Sequence, residues 1–477
     1  MNGKVRLKKR SAFKLPHTLV LIYLLVITVY VLSLVVPSGE YKRAEKSVQG
    51  QTRMVTLPGT YQTQEKKLLG PEWLLIAPIR GFQDGALIIV LIFIFGGAFS
   101  ILEKTGAIKA GIQKLAVFFS RNPRSKKFVI PVLMVVFSLA GGIYGMAEES
   151  IPFVLIFIPL ALSLGYDSVV GVAIPFLGSA VGFSAAFFNP FTVGIAQGLS
   201  DLPLYSGLPY RLILWVIATI IAIVFVMIYA AKITKDPTAS PVYEIDRSRG
   251  YAPSLDPSNT LPWRAPQKLI LLVLGLGIAL LVYGILAKGW YMEEIAALFL
   301  GIGLVSGFIA RIPPSEIAVS FIAGARDVMN VTLIIAGGRA ILIILKEAVV
   351  LDTVLQFTAG VISVVPGLVT AHMMFFTQGI INFFIHSGTA QAALTMPIMA
   401  PLSDLVGITR QTTVLAFQLC EVINPILPTS AVTMGVLGVA KIPWEKWAKW
   451  FVPLMIVLIV FSLIALIPPV LGHWGPF

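Results

Sequence analysis

Two adjacent carboxylates, Glu148-Glu149, interrupt an otherwise apolar region of this chain, standing in GMAEES between VIPVLMVVFSLAGGIYG and IPFVLIFIPLALSLG. Ionised groups at mid-membrane cost about 2.5–3.5 kcal/mol each on insertion scales, so they mark pathways or proton sites. Two neighbouring anions cannot both be comfortable in low dielectric. A cationic substrate, Na⁺ or a proton would relieve the pair, with Ser150 beside it. The alternative is a solvated, idle pair at a wet interface. A second constellation is the repeated Asn-Pro, in FFNPFT (Asn189, Thr192) and NPILPTS (Asn424, Thr429, Ser430). Proline opens a helix at the preceding turn, and backbone groups freed at membrane depth survive only beside protein or a water-filled cavity. Such breaks hold substrates and coupling ions in transporters; the plainer reading is a proline kink capped by Asn. A third is the polar run His386-Ser387-Gly388-Thr389, where small residues allow close backbone approach.

These residues sit in a chain of 477 residues that is 57% hydrophobic and only 12% charged, about half the charged fraction of a soluble domain. One span needs about 20 apolar residues, and such runs recur from end to end, predicting an all-α integral membrane protein. The formal charge is +13, but Lys and Arg cluster in the N-terminal tail, at 120–127, from Lys232 to Arg264 and at 441–449. Basic clusters between spans mark the cytoplasmic side, so a multi-pass inner-membrane protein with a cytoplasmic N-terminus is expected. The same distribution argues against nucleic acid as a partner and for the lipid bilayer. With Cys420 as the only cysteine, intramolecular disulfides and thiolate metal clusters are excluded.

Spans are predicted at 17–37, 84–104, 209–232, 267–288, 293–311, 327–347 and about 450–470, with 348–366 interfacial and 38–70 and 233–265 as polar loops. Residues 128–165 read as a re-entrant hairpin with Glu149 at its tip, two full spans being the alternative. Residues 367–404 read as a second hairpin with 385–388 at its tip. Broken helices are expected at about 168–200 and 408–436. Gly81-x-x-Asp84 recurs as Gly324-x-x-Asp327, Gly96-Gly97 as Gly337-Gly338, and Asn189-Pro190 as Asn424-Pro425. The ordered set points to duplication. Four crossings per half and one linking helix invert the second copy. The domains are then 1–235, a loop and linking helix over 236–290, and 291–477. Asp84 and Asp327 are expected to begin spans as favourable N-terminal charges. Lys104, Lys109 and Lys114 suit an interfacial helix, Cys420 packing, and Arg339 requires a partner. No zinc-protease motif or phosphate loop is present, so the chain reads as a gradient- or exchange-driven carrier rather than an enzyme.

The runs GMAEESIPF, FFNPFTVGIAQ, HSGTAQAALTMPIMAPLSDLVGITR and NPILPTSAVTMGVLGVAKIPWEKW resemble the anaerobic C4-dicarboxylate carrier (DcuC-like) family, nearest to its branch of basic amino-acid antiporters. The resemblance implies membership of the ion-transporter superfamily: a scaffold, a mobile domain with two hairpins, homodimers and elevator-type motion. It implies a substrate and ion site at Glu148, Glu149, Ser150, Asn189, Thr192, His386, Ser387, Gly388, Asn424, Thr429 and Ser430. No organic cofactor is expected, and no metal other than a coupling ion: Na⁺ near Asn189 and Asn424, or H⁺. Antiport or ion-coupled symport of an amino acid, arginine against ornithine for choice, is the first functional reading. A carboxylate carrier with the Glu pair binding the coupling ion is the second.

Overall fold

The computed structural model describes residues 17–48, 51–111, 114, 123–249, 264–362 and 367–475. The basic N-terminal tail, the start of 120–127 and the middle of the 233–265 loop lie outside them. The described chain is helical apart from short strands between the first and second helices. Among the described residues, nine helices are long and apolar enough to cross a membrane. They include Thr18–Val35, Ala86–Lys104, Leu208–Lys235 and Met329–Glu347. Their outer faces carry exposed aliphatic residues such as Val20, Leu24, Ile213 and Leu276. An apolar residue facing outward is favourable only where lipid replaces water.

Two short helices were not legible as spans. Trp73–Asp84 falls between the expected 38–70 loop and the span expected from 84, and Pro314–Asp327 precedes the span at 329–347. Each is too short to cross and ends at the Gly-x-x-Asp landmark. Asp84 and Asp327 therefore terminate these helices rather than beginning spans, which corrects the sequence expectation. Each precedes the next helix by one or two residues and pairs across the fold instead of capping: Asp84 with Arg339 at 3.3 Å, Asp327 with Lys441 at 2.7 Å. Arg339 thus has the partner it required.

The two short helices pack crosswise on the two long ones, Trp73–Asp84 on Met329–Glu347 and Pro314–Asp327 on Ala86–Lys104. Glycine makes both crossings. A Cβ on Gly324 would lie 2.1 Å from the Gly96 carbonyl oxygen, and one on Gly81 would lie 2.1 Å from that of Ala336. No side chain fits, so the backbones touch directly. Overpacking of this kind costs about 1–3 kcal/mol. Gly324→Leu is accordingly expected to lower the melting temperature of the detergent-solubilised protein well below that of an exposed-face control such as Val319→Ala, as read by intrinsic fluorescence.

The first polar loop forms a ribbon, with Arg43–Val48 pairing antiparallel with Gln51–Thr56. Arg43 pairs with the buried Asp352 of Leu351–Ile362 at 2.9 Å, and the Tyr41 amide donates to the same carboxylate at 2.9 Å. Burial pushes the Asp352 carboxyl above its usual range, against the opposing pull of the Tyr41 amide and the Arg43 guanidinium. Strand Gln51–Thr56 packs along Gly388–Leu405, so the ribbon touches both that helix and Leu351–Ile362.

The two hairpin sequences fold as helix–tip–helix units. Pro123–Tyr144 and Ile151–Ser163 flank the short turn Glu148–Ser150; Gly367–Phe384 and Gly388–Leu405 flank Ile385-His386-Ser387. The arm over Lys126–Tyr144 is itself long enough to cross a membrane. The first broken helix runs Ser168–Ser184, with a wide turn at Ala173–Leu177 where Pro175 removes a backbone donor, and resumes at Pro190. The second leaves α-helical geometry at Cys420, four residues before Asn424, and passes through the tighter turn Cys420–Ile426. It resumes at Ala431.

Candidate functional site

Each break and tip is built by local capping. In the first break the Asn189 side chain accepts from the Phe191 amide at 2.9 Å with Pro190 at the first helical position, where a missing N–H costs nothing. Ser387 caps Gly388–Leu405 by accepting from the Ala390 amide at 3.3 Å. Ser430 caps Ala431–Val439 by accepting from the Thr433 amide at 3.3 Å. In the first tip the Glu149 carboxylate accepts the Ala147 amide at 2.9 Å, and the Ser150 hydroxyl donates to the Ala147 carbonyl at 2.6 Å.

These four segments converge. The second tip meets the second break through His386 and Thr429, whose ring nitrogen and hydroxyl are 2.8 Å apart. It meets the first break where Thr389 donates to the Phe191 carbonyl at 2.9 Å. Gly388 comes so near Thr192 that an added Cβ would lie 2.5 Å from its Cγ2. The first break closes on the first hairpin, the Phe188 amide donating to the Gly142 carbonyl at 3.1 Å. The second break reaches the first hairpin as Gly435 packs on Ile151.

A cleft of about 620 Å³ opens between the second tip, the ribbon and the Met329–Glu347 helix. Its wall includes His386, Ser387, Thr389, Asp84, Arg339 and Lys346, with Arg43 from the ribbon. Of the substrate and ion site implied by the family resemblance, only His386 and Ser387 line it. Glu149 is 7% exposed, Asn189 and Thr192 are buried, and Gly388, Thr429 and Ser430 lie beneath the wall. Glu148 is partly covered and Asn424 half-buried. Arg339 faces the second tip across this cleft, its guanidinium held by Asp84 at 3.3 Å. The positive end of Gly388–Leu405 adds to the same wall.

Two features escaped the sequence reading. Arg339 was noted only as a cation in want of a partner. Glu421 was passed over, although it is a carboxylate in an apolar run three residues before Asn424. It is 2% exposed, and its two oxygens accept from the amides of Asn382 and Asn424, each at 3.0 Å. Gln391 and Gln378 extend this polar seam, the Gln391 amide donating to the Gln378 side-chain oxygen at 2.8 Å. Cys420 is fully buried, as packing requires.

The chain matches the family model for the C4-dicarboxylate anaerobic carrier over residues 15–470. It is 34% identical over 479 residues to an Escherichia coli K12 protein named "Putative basic amino acid antiporter YfcC", covering 93% of this chain and 94% of that one. It is 28% identical over 478 residues to an uncharacterized Haemophilus influenzae protein, covering 92% and 93%. Among solved structures it aligns with the YdaH transporter of Alcanivorax borkumensis, with a TM-score of 0.40 and 16% identity over 97% of this chain and 100% of that one. It also aligns with MtrF of Neisseria gonorrhoeae, with a TM-score of 0.41 and 18% identity over 98% of both. Multiple spans, four converging polar segments and the match along nearly the whole chain lead to one conclusion: this protein belongs to the C4-dicarboxylate anaerobic carrier family of membrane transporters.

Proposed function

We propose that this chain is a secondary carrier that exchanges small carboxylate-bearing amino acids, with basic ones such as arginine and ornithine as the leading cargo. The observation that carries the reading is Arg339, which lines the cleft together with His386 and Ser387 of the second tip and is held there by Asp84 at 3.3 Å. A substrate carboxylate is received by the guanidinium and by the positive end of Gly388–Leu405. A cationic side chain then answers the Glu148–Glu149 pair. The cleft falls within the usual 300–1,000 Å³ range of small-molecule sites, and the Escherichia coli relative bears an antiporter's name.

The reciprocal crossings, Gly81 on Ala336 and Gly324 on Gly96, support an inverted duplication with the domain limits read from the sequence. We take these crossed helices as scaffold and the hairpins with their broken helices as the moving part of an elevator-type carrier. The membrane is the inner one, the N-terminus cytoplasmic, and the assembly a homodimer.

A C4-dicarboxylate cargo is the second reading, favoured by Arg43, Arg339 and Lys346 facing the cleft against Asp84 alone. Counterflow in proteoliposomes separates them. Labelled arginine entering vesicles preloaded with ornithine supports the first reading; robust succinate exchange without response to either amino acid supports the second. Glu148→Gln and Glu149→Gln extend the test. Under the first reading each abolishes arginine counterflow, because removing one partner of a desolvated charge pair costs about 2–5 kcal/mol. Under the second, both leave the exchanged anion unchanged and alter only the ion gradient required.

A further inference from the structure

Glu421 lies outside the cleft, yet it is a charge-bearing group at the centre of the converging segments. We propose that Glu421 is the proton-coupling residue of this carrier, alternating between carboxylate and carboxylic acid as the second hairpin tip opens and closes over it. The inference rests on the carrier reading above.

The surroundings suit a group that gains and loses a proton rather than one fixed in an ion pair. A buried carboxylate is normally matched by a cation. Both oxygens of Glu421 instead accept from neutral amides, those of Asn382 on Gly367–Phe384 and Asn424 on its own turn. Among the described residues no charged side chain reaches it. Ser168–Ser184 and Ala431–Val439, which pack against the turn, carry no titratable residue. On Gly367–Phe384 the one titratable residue is His372, ten positions before Asn382 and held by the Leu463 carbonyl at 3.0 Å. On Arg410–Leu419 it is Arg410, tied to Asp404 and Asp201. On Trp444–Ala465 the charged residues occupy the first two turns, while Trp447 donates to the Pro425 carbonyl at 2.8 Å. His386 at the tip is hydrogen-bonded to Thr429 at 2.8 Å. The titratable neighbour that does feel Glu421 is the Cys420 thiol.

The carboxylate also lies directly under the second tip. Gly388, first residue of the helix behind the second tip, is the cover over it: a Cβ there would stand 3.7 Å from one Glu421 oxygen. Beside it, the Asn382 side-chain oxygen and the Thr192 hydroxyl are buried with no hydrogen-bond partner among the described residues. A protonated Glu421 supplies the O–H donor that acceptors of this kind lack, and the ionised form does not. The bookkeeping is one proton: the carboxylate takes it from water on one side when the tip lifts, and the neutral acid returns it on the other side.

The test uses the full-length protein in proteoliposomes holding the internal pH dye pyranine, with labelled arginine as solute and succinate run in parallel. For the wild type, an acid-outside gradient accelerates uptake and the dye reports acidification that accompanies solute entry. Glu421→Gln keeps the side-chain shape: its oxygen still accepts from Asn382, and an amide flip at Asn424 gives its nitrogen an acceptor. This variant retains counterflow and loses both the response to the pH gradient and the solute-linked acidification. If Glu421→Gln is not recovered from membranes, Asn424→Ala, which removes one donor but leaves the carboxylate, must shift the pH midpoint of uptake. A wild type driven by a Na⁺ gradient and indifferent to pH overturns the proposal. So does a pH response that survives in Glu421→Gln, or a midpoint unmoved in Asn424→Ala. Absence of counterflow for every solute would instead remove the carrier reading beneath it.

Discussion

Arg339→Gln is expected to weaken the half-saturation of counterflow at least about 30-fold, whichever carboxylate solute proves to be the cargo, while the protein still elutes as a folded species. The guanidinium is one-third exposed and held by Asp84 at 3.3 Å, so it is oriented but not consumed by its partner. It faces the cleft, and truncating one member of a hydrogen-bonded charge pair at a binding site costs about 2–5 kcal/mol. Lys441→Gln is the internal control. Lys441 pairs at 2.7 Å with Asp327, the aspartate of the other Gly-x-x-Asp landmark. That pair is more than half exposed and away from the cleft, and exposed pairs contribute about 0–1 kcal/mol. Transport by Lys441→Gln should stay near wild type. Equal effects of the two variants would mean that Arg339 serves architecture rather than solute.

Gly388→Ala should reduce transport severely, with Thr192→Ser restoring most of it. The added Cβ would stand 2.5 Å from Thr192 Cγ2, far inside contact distance, between two buried residues that cannot easily retreat. Relief by moving the tip disturbs both His386–Thr429 and Thr389–Phe191. Forcing a methyl group into such a contact costs about 1–3 kcal/mol. Serine at 192 keeps the hydroxyl and removes the offending methyl, so the two changes must be strongly non-additive, as contacting residues are. Initial rates for both single variants and the double variant complete the cycle. Additive losses would show that the second tip and the first break do not meet during transport.

The long apolar runs made the spans readable, because nothing but lipid or a protein interior tolerates so many uncharged residues in sequence. Asn-Pro, Gly-x-x-Asp and the two polar tips were readable as well, since each has a local backbone consequence that sequence displays. The short helices Trp73–Asp84 and Pro314–Asp327 were not. They lack the length that signals a span, and their purpose lies in glycine contacts with distant helices. Arg339 illustrates the same limit, since its partner Asp84 precedes it by 255 positions. Glu421 differs: its carboxylate in an apolar run was a signal in plain view, masked by the proline four residues later. The ribbon at 43–56 was unreadable because its packing surface, Gly388–Leu405, lies in the other half of the chain.

That ribbon constrains any motion of the helix it rides on. One strand lies along Gly388–Leu405 while Arg43, on the strand beside it, grips Asp352 of a different helix. Sliding the first helix past the second must either break the Arg43 grip or stretch the linkers that anchor the strands. The polar segment between the first two helices is therefore a leash as well as a wall of the cleft, and under the elevator motion proposed above shortening it should shorten the stroke.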